Sequence, residues 1–236
     1  MTLTRVLGGG LVLVILAFAA LAAAWWFLIR EDNELARNAP DIPADLVGIV
    51  TPTASGGLAF TIISERSEAA YFADEKLASL PLPSKAKGST TAIEGSFYLT
   101  ADGIELDASQ PSSFIVDLTT ITSDKELRDR RVQNDGLQTA QFPTATFTAT
   151  SVTGYDPSIA EGEEQTLLLT GMMDLHGVQK EIMWDVKAKR EGSVITALAT
   201  VNFLYSDFGI SVLNVANFVS VEDDVTLQVQ IVAQAS

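Results

Sequence analysis

From residue 58 to the C-terminus the chain alternates apolar and polar positions with a period of two. Ile93, Phe97 and Leu99 share one register, with Tyr98 and Thr100 in the other. Phe114, Val116 and Leu118 alternate through "SSFIVDLT", and Ala145, Phe147 and Ala149 alternate with threonines in "TATFTAT". Ile182, Trp184, Val186 and Ala188 form the next set, then Ala197, Ala199, Val201 and Phe203, then Val225, Leu227, Val229, Ile231 and Ala233. Side chains of a strand point alternately to its two faces, so each run predicts a strand with one face buried, as in antiparallel sheets. Turn residues separate the runs: "ADG" at 101–103, "GYDPS" at 154–158, "HG" at 176–177 and "REG" at 190–192. Strands at this spacing predict an all-β fold, a sandwich or an up-and-down barrel of about eight strands.

Two stretches read as helical instead. "SDKELRDRRVQNDG", 123–136, opens on a Ser or Asp able to cap, contains good helix formers and ends in Asn-Asp-Gly. "ADEKLASL", 73–80, is a weaker helical segment ended by "PLP". Residues 31–57 are rich in Pro, Ala, Asp and Gly and keep neither period, which predicts a linker, with "LVGIV" at 46–50 as a short additional strand.

The N-terminus differs from all of this. Between Arg5 and Arg30 there is no charged residue, and Leu11–Ile29 as a helix would be roughly 28 Å long, enough to cross a bilayer. Trp25, Trp26 and Phe27 then fall at the interface, before Arg30. "AFA" at 17–19 and "AAA" at 22–24 fit a signal-peptide cleavage rule, but the apolar run continues past both. We therefore read residues 1–30 as a single transmembrane anchor, with a cleaved signal peptide and a periplasmic or secreted domain as the alternative, 31–57 as linker and 58–236 as the folded domain. Basic residues flank both ends of the span, so charge does not choose its orientation.

Composition narrows the chemistry. The chain has 236 residues, no cysteine, one histidine and a net charge of −15. Disulfides, thiolate chemistry and multi-histidine metal centres are excluded, and an acidic surface repels phosphate backbones, which excludes nucleic acid as partner. His176 lies in "MMDLHGVQKEIMWDV" (172–186) without a nucleophile motif, and histidine tolerates positive φ before a turn glycine. It reads as a turn residue, with no catalytic residue in the chain. "EGEEQ" at 161–165 lacks the alternating oxygens of a calcium loop and reads as solvated. Arg128, Arg130 and Arg131 either meet an anionic headgroup or pair with neighbouring Asp and Glu.

The inward positions combine aromatics (Phe97, Phe114, Phe147, Trp184, Phe203) with alanines (Ala145, Ala149, Ala188, Ala197, Ala199, Ala233). An eight-stranded barrel built this way is either filled to its taper or left with room for one small ligand. Patterning leaves both open. A cavity would suit a long hydrocarbon, each buried methylene contributing about 0.8 kcal/mol.

Four segments in order resemble the YceI-like polyisoprenoid-binding domain family. They are "RDRRVQNDGLQTAQFPTATFTATSV", "GMMDLHGVQKEIMWDV", "SDFGI" at 206–210 and "VEDDVTLQVQIV" at 221–232. The resemblance covers about residues 58–234. It implies a lipocalin-like antiparallel barrel enclosing an isoprenoid or other long-chain amphiphile, and no enzyme activity or cofactor beyond a bound polyprenyl quinone or similar lipid. It also implies an extracytoplasmic domain, here held at the cell membrane by the N-terminal helix. Phe97, Phe114, Phe147, Trp184 and Phe203 are the expected ligand contacts, with Arg128 and Arg131 at the headgroup. The segment from 56 to 95 is longer than the family's usual first hairpin. Two other functions stay open: a filled barrel acting as an interaction domain, and an electron-transfer partner using His176 with a quinone or haem.

Overall fold

A computed structural model describes residues 33–50, 56–77, 84–212, 214–215 and 219–236. The proposed membrane anchor lies outside the described residues; among those described, no helix is long and apolar enough to cross a membrane. The compact unit that carries the strands begins at Leu35.

Among the described residues twelve strands build it: β1 (Leu58–Ile62), β2 (Glu68–Leu77), β3 (Ser84–Thr90), β4 (Ile93–Leu99), β5 (Ser112–Asp117), β6 (Thr122–Ser123), β7 (Thr144–Thr153), β8 (Gln165–Leu175), β9 (Val178–Glu191), β10 (Val194–Leu204), β11 (Asn214–Val215) and β12 (Val219–Ala235). Pairing is antiparallel throughout. β1 pairs β4, and the order then runs β5, β7, β8, β9, β10 and β12. β12 returns to β1 through Phe60↔Ala235 and Ile62↔Ala233. The sheet is therefore an eight-strand closed barrel, one of the two all-β folds that the alternation left open.

The first staves of the barrel are interrupted strands. β12 pairs β1 at its end and β2 over Val219–Gln230, while β3 and β4 pair β2 and β1 in turn. β5 and β6 then pair β4 and β3. At the β1–β2 break the Ser67 hydroxyl accepts from the Val232 amide and donates to the Ile63 carbonyl, so the ladder's polar groups stay satisfied across the gap. At the β5–β6 break the Asp117 side chain accepts from the Thr119 amide.

β2 corrects one sequence reading. Residues 73–77 of the expected helix at 73–80 form strand, because Ala73, Asp74 and Glu75 are held between β3 on one side and, for Ala73 and Glu75, β12 on the other. Two flanking ladders outweigh the helical propensity of Ala, Glu, Lys and Leu, which is worth only tenths of a kcal/mol per residue. The helix expected at 123–136 is present as α1 (Glu126–Arg131) followed by a π-helical turn over Val132–Gly136. Its N-cap is Lys125, with no side-chain cap; Ser123 instead binds Asp129 through both its amide (2.9 Å) and its hydroxyl (2.5 Å).

Residues 46–50 form no strand: among the described residues their one backbone–backbone bond to the barrel runs from the Ser193 amide, in the β9–β10 turn, to the Gly48 carbonyl. Residues 36–48 are nonetheless fastened to the outer wall. The Gln228 side chain exchanges two hydrogen bonds with the Ala36 backbone, Thr196 and Ser193 hydroxyls donate to the Pro40 and Leu46 carbonyls, and Lys189 pairs with Asp41 at 3.3 Å. Glu164, from the acidic loop at 161–165, accepts from the buried Ala39 amide.

His176 and Gly177 both have positive φ (55° and 75°) and close the β8–β9 hairpin. The histidine ring packs on Phe142 (4.4 Å between centroids), and its Nδ1 lies 3.3 Å from the Phe208 carbonyl. Asp174 accepts instead from Gln179.

Phe60 is fully buried and stacks on Phe97 where β1 closes the barrel. Phe60→Ala is expected to cost about 3–5 kcal/mol, by transfer and cavity terms together. Denaturant unfolding measures it, and a loss below about 1 kcal/mol would mean that this end of the barrel is not tightly packed.

Candidate ligand cavity

Inward-facing side chains leave a cavity of about 550 Å³ inside the barrel. Its wall is mostly apolar, and small: Ala69, Ala73, Ala86, Ala145, Ala197 and Ala199 all face it. Alanine at an inward position supplies a wall without filling the axis, and this is the physical origin of the space. The pattern's two alternatives thus resolve in favour of an open interior.

Aromatic rings run round the inside in one chain. Phe60, Phe97, Phe114, Phe147 and Trp184 follow each other at centroid distances of 5.2, 6.2, 6.3 and 6.0 Å. They come from β1, β4, β5, β7 and β9, so the chain crosses most of the barrel. Two glycines make room for rings: a Cβ on Gly171 would fall 2.5 Å from Phe147 Cζ, and one on Gly88 2.3 Å from Tyr71 Cε1. Of the expected ligand contacts, Phe114, Phe147, Trp184 and Phe203 line the large cavity. Phe97 lies instead in a second, smaller space of about 140 Å³, which also borders Phe114, Ala149, Ala188 and Arg190. Ala233 is packed with Leu58, Phe60, Phe97 and Leu99 and faces neither space.

Arg128 and Arg131 reach the large cavity from α1, where Leu127 is 61% exposed and also part of the wall. The space therefore comes to the surface beside this helix. Arg128 forms a bidentate ion pair with Glu75 of β2, both bonds 3.0 Å, and a second pair with Asp124. Burial pulls the guanidinium pKa down, but the bonds and charges of Glu75 and Asp124 outweigh it and hold the pKa above its usual range. Asp124 is shifted the other way: burial raises it, yet Lys125 and Arg128 bring it below the ordinary carboxylate range. Arg130 pairs with Glu126 at 3.6 Å on the exposed side of the helix.

Several cavity residues escaped the sequence reading. Tyr71 and Glu75 sit on β2, whose inward set Ala69, Tyr71, Ala73 and Glu75 has the period-2 signal but was masked by the helix formers that follow. Tyr205 continues the register of Ala197, Ala199, Val201 and Phe203 by one step, but lies in a 3-10 turn just past the end of β10. Burial pushes both phenols well above their ordinary pKa, so each stays a protonated donor. Tyr71 Oη and Trp184 Nε1 are buried with no hydrogen-bond partner in the structure.

A closed antiparallel barrel around an apolar, ligand-sized cavity defines a class of small-molecule-binding proteins. Residues 60–233 match the YceI-like domain, and the chain belongs to that family. The fold is similar to that of a polyisoprenoid binding domain from Saccharophagus degradans implicated in plant cell wall breakdown, with a TM-score of 0.57 at 16% identity over 76% of this chain and 99% of that one. It is also similar to Burkholderia cenocepacia BcnA, with a TM-score of 0.52 at 15% identity over 73% and 99%. No curated protein sequence matches the chain.

Removing Glu75 leaves a partly buried cation facing one fewer carboxylate. Glu75→Ala is expected to destabilise by roughly 3 kcal/mol, and the double replacement Glu75→Leu/Arg128→Leu to recover most of it, because pairing of buried ions mainly offsets their desolvation. Asp124's contribution is complete above the ordinary aspartate pKa of about 3.9 and is lost as pH falls through its lowered folded value. Asp124→Asn should therefore lower stability at neutral pH and flatten its decline below about pH 4. Thermal melts of the variants at several pH values test both expectations, and an unchanged acid limb would contradict the second.

Proposed function

We propose that this protein is a lipid-binding module that holds an isoprenoid or another long-chain amphiphile in its barrel. The observation that carries the reading is the apolar cavity of about 550 Å³ walled by alanine, within the range of roughly 300–1,000 Å³ that small-molecule sites occupy. An isoprenoid chain leaving water for this wall gains about 0.8 kcal/mol for each carbon unit it buries, with no polar wall group to desolvate along most of its length. Family membership and a fold shared with a polyisoprenoid binding domain support the ligand class. No chemistry is assigned to the chain: Phe114, Phe147, Trp184 and Phe203 contact the ligand, and the space beside α1 admits it.

The proposal includes a membrane location, supported by the uncharged apolar stretch at 6–29. Tethered at the extracytoplasmic face, the barrel exchanges its ligand with the bilayer over a short path. The anchor keeps the carrier close to the phase in which the lipid is soluble, and the barrel shields the chain from water outside it.

Organic extraction of the purified protein followed by mass spectrometry is expected to release a long-chain species. Ala199→Phe, which projects a ring into the cavity, should reduce binding of added polyprenol at least tenfold while leaving the melting temperature within a few degrees, since it fills space rather than removing contacts. No co-purifying lipid together with no uptake of added polyprenyl compounds would overturn the proposal and favour an interaction domain without ligand.

A further inference from the structure

Among the described arginines, Arg66, Arg128 and Arg130 each meet a carboxylate, while Arg37 and Arg131 are exposed to water. Arg190 has no such carboxylate and is only partly exposed. It faces inward near the end of β9, in the register of Trp184, Val186 and Ala188, and its Nε is buried without a hydrogen-bond partner. Its contacts are the face of Phe60, 5.7 Å from the ring centroid, and the Gly103 carbonyl, 3.5 Å from Nη1. Gly103 has φ 71°, and a Cβ there would fall 2.2 Å from Nη1, so the glycine gives the guanidinium room to lie against the turn. A guanidinium stays protonated and offers five N–H donors, of which one long bond to a carbonyl uses a single one. A cation held in apolar surroundings without a counter-charge is costly, and an aromatic face offsets only part of that cost.

The space that Arg190 faces is the smaller one, of about 140 Å³, and no Asp or Glu lines it among the described residues. Acidic groups of the neighbouring loops are engaged elsewhere. Asp102 accepts from the Thr100 hydroxyl and the Ile104 amide, Asp107 from the Ser109 amide, and Glu161 from the Gly192 amide. Two further polar lining residues bring no negative charge: Lys189 pairs with Asp41 at 3.3 Å, and Gln165 accepts from the Asp156 amide. The rest of the wall is mainly apolar, with Phe97, Leu99, Leu106, Val152, Leu167 and Ile195. An apolar cavity of about 150 Å³ holds a molecule of benzene size. A lone cation at the edge of such a space calls for a ligand that is apolar over most of its surface and anionic at one end.

We infer that this end of the barrel is a second binding site, separate from the lipid cavity, for a small apolar carboxylate of about benzoate size. The carboxylate accepts from the guanidinium fork of Arg190, and the ring fills the space between Phe97 and Leu167. A cation of the same shape is repelled, and a neutral isostere gains only the apolar contacts. Phe114 and Ala197 border both spaces, so residues bordering one alone distinguish them: Ala188 for the smaller and Ala199 for the larger.

Calorimetric titration of the purified full chain with benzoate, benzyl alcohol and benzylamine tests the site. Benzoate is expected to bind at least tenfold more tightly than the neutral and cationic isosteres, the margin of a charge-assisted pair. Arg190→Gln should bring benzoate down to the level of benzyl alcohol, and Arg190→Lys should restore part of the difference. Ala188→Leu, which fills the smaller space, should abolish benzoate binding, whereas Ala199→Phe should leave it unchanged. Each variant is first checked for the melting profile of the parent, and the comparison of the three ligands on the parent chain stands even where a variant does not fold. Equal binding of benzoate and benzyl alcohol by the parent would overturn the proposal, as would the absence of benzoate binding up to millimolar concentration. The same holds if benzoate binds Arg190→Gln as it binds the parent, or if binding is lost in Ala199→Phe and kept in Ala188→Leu.

Discussion

Closure of the sheet by β12 is the constraint on which the rest depends. A single 17-residue strand pairs β10 along one edge and β2 and β1 along the other. Without it the sheet would expose two edges of unpaired amides and carbonyls and an apolar inner face. With it, every inward side chain looks across a closed interior whose diameter is set by the number of staves. What occupies that interior is then decided by side-chain size alone. Alanine at the inward positions leaves space, and glycine beneath Phe147 and Tyr71 lets the larger rings lie against the wall instead of across the axis.

Polar interactions are concentrated where the barrel is least regular. The pair between Arg128 and Glu75 joins residues 53 positions apart and ties α1 to β2 at the end where the cavity comes to the surface. Such a pair adds little net stability over an apolar substitute, but it admits one arrangement of helix against strand. The same economy holds on the outside, where residues 36–48 cover β10 and β12 through side-chain bonds to backbone rather than by pairing as a strand.

Much of the barrel was legible because burial of one sheet face writes itself into the sequence every second residue. β4, β5, β7, β9, β10 and β12 announce themselves this way, and His176-Gly177 marks its turn through the φ values that those residues tolerate. β2 was not legible, since Ala73, Glu75, Lys76 and Leu77 suit a helix locally and only pairing with β3 and β12 makes them strand. The path of residues 36–48 left no signal either, because its bonds run to Thr196, Ser193 and Gln228, remote in sequence. Within the site, the aromatic contacts followed from alternation, whereas Tyr71, Tyr205 and the partner of Arg128 depended on long-range geometry. For Phe97, alternation fixes only that the ring points inside the barrel, while its stacking on Phe60 puts it in the smaller space rather than the larger one.

On the function proposed above, the interior of this barrel receives a lipid chain. A crystal structure of the full chain with a long-chain prenol brominated at its tail tests this most directly, through the anomalous signal of the bromine. The account predicts a bromine peak within the barrel, among Phe114, Phe147 and the alanines of β7 and β10. A peak confined to the outer surface, with Phe147 and Trp184 turned across the axis to fill it, would contradict the claim.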